Sequence, residues 1–191
     1  MFTGPVERII SQFDACPWGG LVGHQSRFAG AAQQNGRIQQ LYTPEQRARR
    51  DASRWTLVQG LLAPAQFAVF LVSAYLVAHF LITGQGQDVA TASVVFKTGV
   101  LYLIMVTGSI WEKEVFGRYL FAPAFYWEDV VSMVVMALHT AYIVALLSGA
   151  LDTHTLMVLA LTAYATYIVN AAQFLLKLRS ARRQQPAWAH A

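Results

Sequence analysis

The chain has 191 residues, of which 55% are hydrophobic and 13% carry a charged side chain. About a quarter of the residues of an ordinary soluble domain are charged, so this composition excludes such a domain and favours an integral membrane protein. The formal net charge of +4 indicates membrane orientation rather than nucleic-acid binding, because the basic residues flank apolar segments. The single cysteine, Cys16, excludes an internal disulfide and argues against a cysteine-based metal site.

The N-terminal region, residues 1–40, is rich in Gly, Gln and Ala and has no apolar core typical of a cleaved signal peptide. We expect it to be a poorly ordered cytoplasmic tail. A helix is predicted to begin at Thr43-Pro-Glu-Gln46, with Thr43 as the N-cap and a proline in the first turn. This helix is expected to continue to Trp55 and to carry arginines that orient the chain at the membrane surface.

Four apolar segments follow, each about as long as a helix that crosses a hydrocarbon core, at about 55–82, 89–111, 125–147 and 154–177. The predicted fold class is all-α, an integral-membrane four-helix bundle. All Lys and Arg residues except Lys97 lie before the first segment, in the connector between the second and third segments, or at the C-terminal end from Lys177 onward. The positive-inside rule therefore predicts that both termini and this connector are cytoplasmic, including a C-terminal tail at 181–191.

Polar side chains also occur inside the apolar segments. Gln59, Gln66 and Ser73 recur every seven residues on one helical face, which is typical of hydrogen bonds between helices, with a ligand site as the alternative. Lys97 is expected to extend toward the membrane surface. His139 lies eleven residues after Glu128, about 16 Å deeper along the helix. It is either a hydrogen-bonded histidine between helices or a group that binds a ligand or transfers a proton.

The connector between the second and third segments is unusually rich in charge. Glu112 and Glu114 are expected at the end of the second helix, and Glu128 and Asp129 at the start of the third. An antiparallel pair of helices would bring all four carboxyl groups to a similar depth. They form either a salt-bridged structural corner or an acid/base site. Burial and mutual repulsion favour a protonated carboxyl group, which is what a general acid requires.

Four stretches of the chain resemble the 3-vinyl bacteriochlorophyllide hydratase family, and together they span residues 41–180. They are Leu41-Tyr-Thr-Pro-Glu-Gln-Arg-Ala-Arg-Arg-Asp-Ala-Ser53, Met105-Val-Thr-Gly-Ser-Ile-Trp-Glu-Lys-Glu-Val-Phe-Gly-Arg-Tyr-Leu-Phe-Ala-Pro-Ala-Phe-Tyr-Trp-Glu-Asp129, Ala137-Leu-His-Thr-Ala-Tyr142 and Asn170-Ala-Ala-Gln-Phe-Leu-Leu-Lys-Leu-Arg179. The resemblance implies a hydro-lyase of bacteriochlorophyll biosynthesis that adds water to the C3 vinyl group of a (bacterio)chlorophyllide and forms a 3-(1-hydroxyethyl) group.

The resemblance also implies a location and partners. The chain is expected in the bacterial inner membrane, cytoplasmic or intracytoplasmic, as a multi-pass protein with its active site toward the cytoplasm. Its expected partners are the 3-vinyl pigment, membrane lipid and other enzymes of the pathway, and no nucleic acid. Residues 41–180 would form the hydratase domain.

The chemistry of vinyl hydration suggests roles for the carboxyl groups. The reaction needs a proton donor, a group that takes a proton from water, and negative charge near a developing cation. Two carboxyl groups of unequal acidity supply these without a redox cofactor or a protein-bound metal. We predict that Glu112 or Glu128 is the acid and that Glu114 or Asp129 assists the water.

The macrocycle is expected to lie against the aromatic residues around the connector. The predicted contacts are Trp111, Phe116, Phe125, Tyr126 and Trp127. His139 is predicted as an axial ligand of the substrate's magnesium, and Arg118 as the partner of its propionate.

Three other functions fit parts of the sequence. A non-catalytic tetrapyrrole carrier or photosystem assembly factor needs an apolar pocket and one axial ligand, but no cluster of carboxyl groups. A b-type cytochrome subunit needs paired histidines at matching depth, and His79 and His139 match poorly. A purely structural membrane protein leaves the charged connector unexplained.

Overall fold

The computed structural model describes residues 41–183, so the predicted tail at 1–40 and most of the predicted tail at 181–191 lie outside the described residues. The described part contains five α-helices. They are α1 (Pro44–Ala52), α2 (Arg54–Thr83), α3 (Gln87–Phe116), α4 (Tyr126–Ser148) and α5 (Thr153–Arg183). The predicted all-α class is confirmed.

Four of these helices are long and apolar enough to cross a membrane: Arg54–Thr83, Gln87–Phe116, Tyr126–Ser148 and Thr153–Arg179. Each of these helices contains one of the predicted apolar segments. The third segment was predicted to begin at residue 125, and its helix begins one residue later, at Tyr126. Helix α3 continues five residues past the predicted apolar end at 111, so Glu112 and Glu114 are helical. It stops at Gly117, whose φ of 81° lies in the left-handed region that glycine adopts without strain.

The short helix α1 begins as predicted. The Thr43 hydroxyl accepts a hydrogen bond from the Gln46 backbone N–H at 3.2 Å, and the Gln46 side-chain oxygen accepts one from the Thr43 N–H at 2.9 Å. The prediction that one helix continues from here to Trp55 is wrong. Ser53 is extended at φ −76° and ψ 129°, and its hydroxyl accepts a hydrogen bond from the Trp55 N–H, so it starts α2 as an N-cap.

The long helices contact one another mainly in sequential pairs, α2 with α3 and α4 with α5, and α5 also contacts α2. The Gln59 amide donates to the Thr107 hydroxyl at 2.8 Å. Ser73 hydrogen-bonds to Tyr164 on α5 at 2.6 Å and to Ser93 on α3 at 2.8 Å. The interpretation of this stripe as contacts between helices is therefore confirmed at Gln59 and Ser73.

Apolar side chains fill the interior between the helices and also cover the outside. The main buried cluster includes Val77, Val94, Leu101, Val135, Tyr142 and Ala160. Large apolar side chains such as Leu61, Ile82 and Leu147 are strongly exposed. This distribution suits a protein surrounded by hydrocarbon, because apolar side chains that face lipid tails carry no free-energy cost.

A lysine and a histidine meet in the middle of the helix assembly. Lys97 on α3 and His139 on α4 are both 0% exposed. Lys97 Nζ lies 2.6 Å from His139 Nε2, and it also lies 4.3 Å from the centre of the Tyr167 ring. The prediction that Lys97 extends to the membrane surface is wrong, because the imidazole and the tyrosine ring provide an interior environment for its amino group.

Candidate active site

The connector at 117–125 joins α3 to α4 and is held by its backbone. Lys113 Nζ donates to the Gly117 carbonyl at 3.1 Å, which closes the end of α3. Phe121 has a φ of 59°, a left-handed conformation that costs a non-glycine residue about 1–2 kcal/mol. Such a conformation persists only where surrounding contacts enforce it.

Two buried carboxyl groups enforce the conformation of this connector. Asp129 Oδ2 accepts a hydrogen bond from the Phe121 N–H at 2.7 Å. Glu112 Oε2 accepts one from the Ala122 N–H at 3.3 Å. Glu112 is 6% exposed and Asp129 is 3% exposed. Successive backbone N–H groups of the connector therefore bind carboxyl groups from the two helices that the connector joins.

Glu112 and Asp129 lie close together, because they accept hydrogen bonds from successive backbone N–H groups. Two buried carboxyl groups in such proximity repel each other when both are ionised, which favours the protonated form of one of them. We call Glu112 and Asp129 the carboxyl pair. A pair of this kind can donate a proton and accept one, which is what acid/base catalysis requires.

The third carboxyl group of this region, Glu128, has a cationic partner. Lys177 Nζ on α5 donates to Glu128 Oε2 at 2.6 Å. The same ammonium group lies 4.8 Å from the centre of the Phe125 ring. This ion pair links α4 to α5 next to Asp129.

A cluster of aromatic rings surrounds Phe125, which is the N-cap residue of α4 and is buried. Its ring contacts four others at centroid distances of 5.7–6.4 Å: Trp111, Phe116, Phe174 and Tyr42. The Trp111 indole N–H donates to the Thr56 hydroxyl at 2.9 Å. Desolvation raises the pKa of Tyr42, so its phenol stays neutral at physiological pH. We call these five rings the aromatic cluster.

The structure separates Glu114 from the other predicted catalytic residues. Glu114 is exposed, and its Oε2 accepts a hydrogen bond from the Ser53 hydroxyl at 2.7 Å, at the junction of α1 and α2. Arg118 and Tyr126 are exposed on the surface of the connector region, and Trp127 is half-buried with its ring 5.5 Å from that of Tyr126. These three side chains are more accessible than the ring of Phe125, which is 4% exposed.

Three residues of this site were not among the predicted site residues: Tyr42, Phe174 and Lys177. Lys177 follows Asn170 and Gln173 on one polar face of α5, a spacing from which it could have been predicted. Tyr42 and Phe174 carry no such signal, because their contacts with Phe125 join parts of the chain that are far apart in sequence.

His139 lies away from the carboxyl pair and has no free ring nitrogen. Its Nδ1 lies 2.8 Å from the Val135 carbonyl oxygen, so Nδ1 carries the hydrogen and Nε2 accepts from Lys97. Coordination of magnesium by Nε2 would require Lys97 to leave.

A shallow groove of about 260 Å³ opens on the outside of α2 and α3. It is lined by Ala68, Val69, Val72, Ser73, Ser93 and Phe96. Ser93 precedes Glu112 by nineteen residues on α3, which places the groove about 28 Å along the helix from that carboxyl group. The groove is therefore too remote for the carboxyl pair to act on a molecule bound there.

Comparison with known proteins identifies relatives of the chain. A family model described as 2-vinyl bacteriochlorophyllide hydratase matches residues 42–180. The 2-vinyl bacteriochlorophyllide hydratase of Cereibacter sphaeroides is 64% identical over 148 residues, which cover 77% of this chain and 91% of the relative. The protein of the same name from Rhodobacter capsulatus is 62% identical over 151 residues, which cover 79% of this chain and 88% of the relative.

No solved structure matches the chain. Position 2 in the relatives' name is the older number for the macrocycle carbon that is numbered 3 above, so the family suggested by the sequence motifs is confirmed. On the match over residues 42–180 and these identities, the chain belongs to the 2-vinyl bacteriochlorophyllide hydratase family and is a hydro-lyase.

Proposed function

We propose that this chain adds water to the C3 vinyl group of a (bacterio)chlorophyllide and that the carboxyl pair transfers the protons. The names of the relatives support the reaction. The observation that carries the mechanism is the placement of two buried carboxyl groups, Glu112 and Asp129, on the successive backbone N–H groups of Ala122 and Phe121. No redox change occurs in hydration, so proton transfer is the chemistry that the protein must provide.

The proposed reaction has two steps. The protonated member of the carboxyl pair transfers its proton to the terminal vinyl carbon, and the π electrons form the new C–H bond. The positive charge is left on the carbon attached to the macrocycle, which delocalises it. Water then attacks this carbon through its oxygen, and its surplus proton passes to the carboxyl pair. The product is a 1-hydroxyethyl group, and the pair again holds one proton.

Glu128 has an electrostatic role in this proposal. Its carboxylate pairs with Lys177 on α5, and Glu128 is next to Asp129 in the chain. A fixed negative charge near the cation stabilises the transition state, and its effect is strong where water is excluded.

The aromatic cluster is the proposed support for the macrocycle. Trp111 adjoins Glu112 in the chain, and Phe125 precedes Asp129 by one helical turn, so the rings and the carboxyl pair occupy the same end of the helix assembly. Tyr126 and Trp127 extend this aromatic surface outward. Arg118 is exposed beside it, as a partner for the pigment's propionate requires. His139 is not part of this proposed pocket, because both of its ring nitrogens are hydrogen-bonded elsewhere.

We further propose that this end of the protein faces the cytoplasm in the bacterial inner membrane. The basic residues of the connector and of both terminal regions support this orientation through the positive-inside rule. In a Cys16→Ser background, Gln85→Cys and Tyr119→Cys place single thiols in opposite connectors. We expect a membrane-impermeant maleimide to label Gln85→Cys in intact spheroplasts and Tyr119→Cys only after lysis. The reverse pattern would refute the proposed orientation.

The decisive test of the function uses membranes from a host that makes no bacteriochlorophyll and expresses this chain alone. They are incubated with 3-vinyl chlorophyllide a without an added cofactor. We expect a product heavier by one water with a blue-shifted red absorption band, identified by chromatography and mass spectrometry. Pigment that co-purifies unchanged would support the tetrapyrrole carrier instead, and the absence of both turnover and binding would refute the proposal.

A further inference from the structure

The interior of the helix assembly contains amide oxygens without a hydrogen-bond donor. Gln66 Oε1 on α2, and Asn170 Oδ1 and Gln173 Oε1 on α5, are buried and have no partner. Gln66 is 3% exposed and Asn170 is 7% exposed. A buried acceptor left without a donor destabilises the fold, so two such residues at one level of the structure indicate a missing donor.

Contacts between α2 and α5 place Gln66 and Asn170 at the same level. The Phe70 ring lies 4.9 Å from the Tyr167 ring, centroid to centroid, and these two helices run antiparallel. One helical turn from this contact, in the direction of the connector, the same helix faces carry Gln66 and Asn170. The Asn170 side-chain nitrogen donates to the Ser132 hydroxyl at 2.9 Å, which fixes the direction of its free oxygen.

The polar face of α5 leads from this level to the proposed active site. Gln173 follows Asn170 by one turn, and Lys177 follows Gln173 by another turn on the same face. The Lys177 ammonium group ends at Glu128, beside the carboxyl pair. The distance along the helix from Asn170 to Lys177 is about 10 Å, the length of a chain of three or four hydrogen-bonded waters.

We propose that Gln66, Asn170 and Gln173 form an internal water site that supplies the co-substrate of hydration to the carboxyl pair. Water is a small donor that satisfies acceptors from two helices at once, and buried polar sites in proteins typically hold it. The inference rests on the proposed function. The proposed reaction explains why these amides occur in the interior. A reaction that consumes water inside a membrane protein needs a polar route through apolar surroundings.

The test compares two variants of nearly unchanged side-chain size with a matched control. Gln66→Met and Asn170→Leu remove the unpartnered oxygens. Gln59→Met is the control, because it lies on the same helical face but its amide is already bonded to Thr107. X-ray radiolysis of the full-length protein in membranes generates hydroxyl radicals from bound water and labels the side chains that touch it. Mass spectrometry then measures labelling of Phe70 and Tyr167.

In the unaltered protein and in Gln59→Met, we expect Phe70 and Tyr167 to be labelled. In Gln66→Met and Asn170→Leu, labelling should fall at least fivefold, and kcat for vinyl hydration should fall about tenfold with KM for the pigment unchanged. Absent labelling in the unaltered protein, or equal labelling in all variants, would overturn the water site. Turnover that is missing in every protein while labelling follows the expected pattern would instead refute the proposed function.

Discussion

Glu112→Gln and Asp129→Asn are each expected to lower the rate of vinyl hydration by about 10²- to 10⁴-fold, the usual contribution of a positioned acid or base. Each introduced amide keeps one oxygen, so both side chains can still accept the backbone hydrogen bonds from Ala122 and Phe121. An amide, however, cannot donate and take back a proton as a carboxyl group does. The rate is measured as product formed from 3-vinyl chlorophyllide a in membranes with equal amounts of each protein.

Glu114→Gln is the matched control for these two variants. Its oxygen still accepts the hydrogen bond from Ser53, and it lies outside the carboxyl pair, so its rate should stay within about twofold of the unaltered protein. Near-normal turnover in both Glu112→Gln and Asp129→Asn would show that the pair only holds the connector. Loss of activity in Glu114→Gln alone would transfer the catalytic role to that residue.

Substitutions of the buried Lys97 and His139 are expected to lower the stability of the protein. His139→Leu leaves the amino group of Lys97 without its acceptor in an apolar interior, and Lys97→Met leaves His139 Nε2 without a donor. Each single change should lower the free energy of unfolding by about 1–3 kcal/mol, with the larger loss in His139→Leu. The double variant removes both groups and should be more stable than His139→Leu. Unfolding by titration with a denaturing detergent measures these differences.

The same double variant tests whether Lys97 and His139, rather than the carboxyl pair, provide the acid/base chemistry. Since Lys97 and His139 take no part in the proposed mechanism, the folded Lys97→Met, His139→Leu protein should keep most of its hydration activity. If this protein folds normally and has no activity, the mechanism based on the carboxyl pair is wrong. If the two single effects on stability are simply additive, the 2.6 Å contact between Lys97 and His139 contributes no coupling energy.

Local patterns in the sequence determined much of this protein. The four apolar segments predicted the long helices, since a helix that crosses a membrane needs about 20 apolar residues. Thr43 and Pro44 predicted the start of α1, because capping depends on neighbouring residues. The charged run at 109–129 drew attention to Glu112 and Asp129, and it also carried the resemblance to the hydratase family.

Only the tertiary structure decided how the polar residues pair. The sequence pattern predicted that Glu112, Glu114, Glu128 and Asp129 form one cluster. In the structure, Glu112 and Asp129 bind adjacent N–H groups of the connector, Glu128 pairs with Lys177, and Glu114 bonds to Ser53. Likewise, Lys97 and His139 are 42 residues apart in the chain and meet only because α3 and α4 pack together. Helical periodicity defines the face on which a side chain lies, but the rotation and axial position of the opposite helix decide its partner.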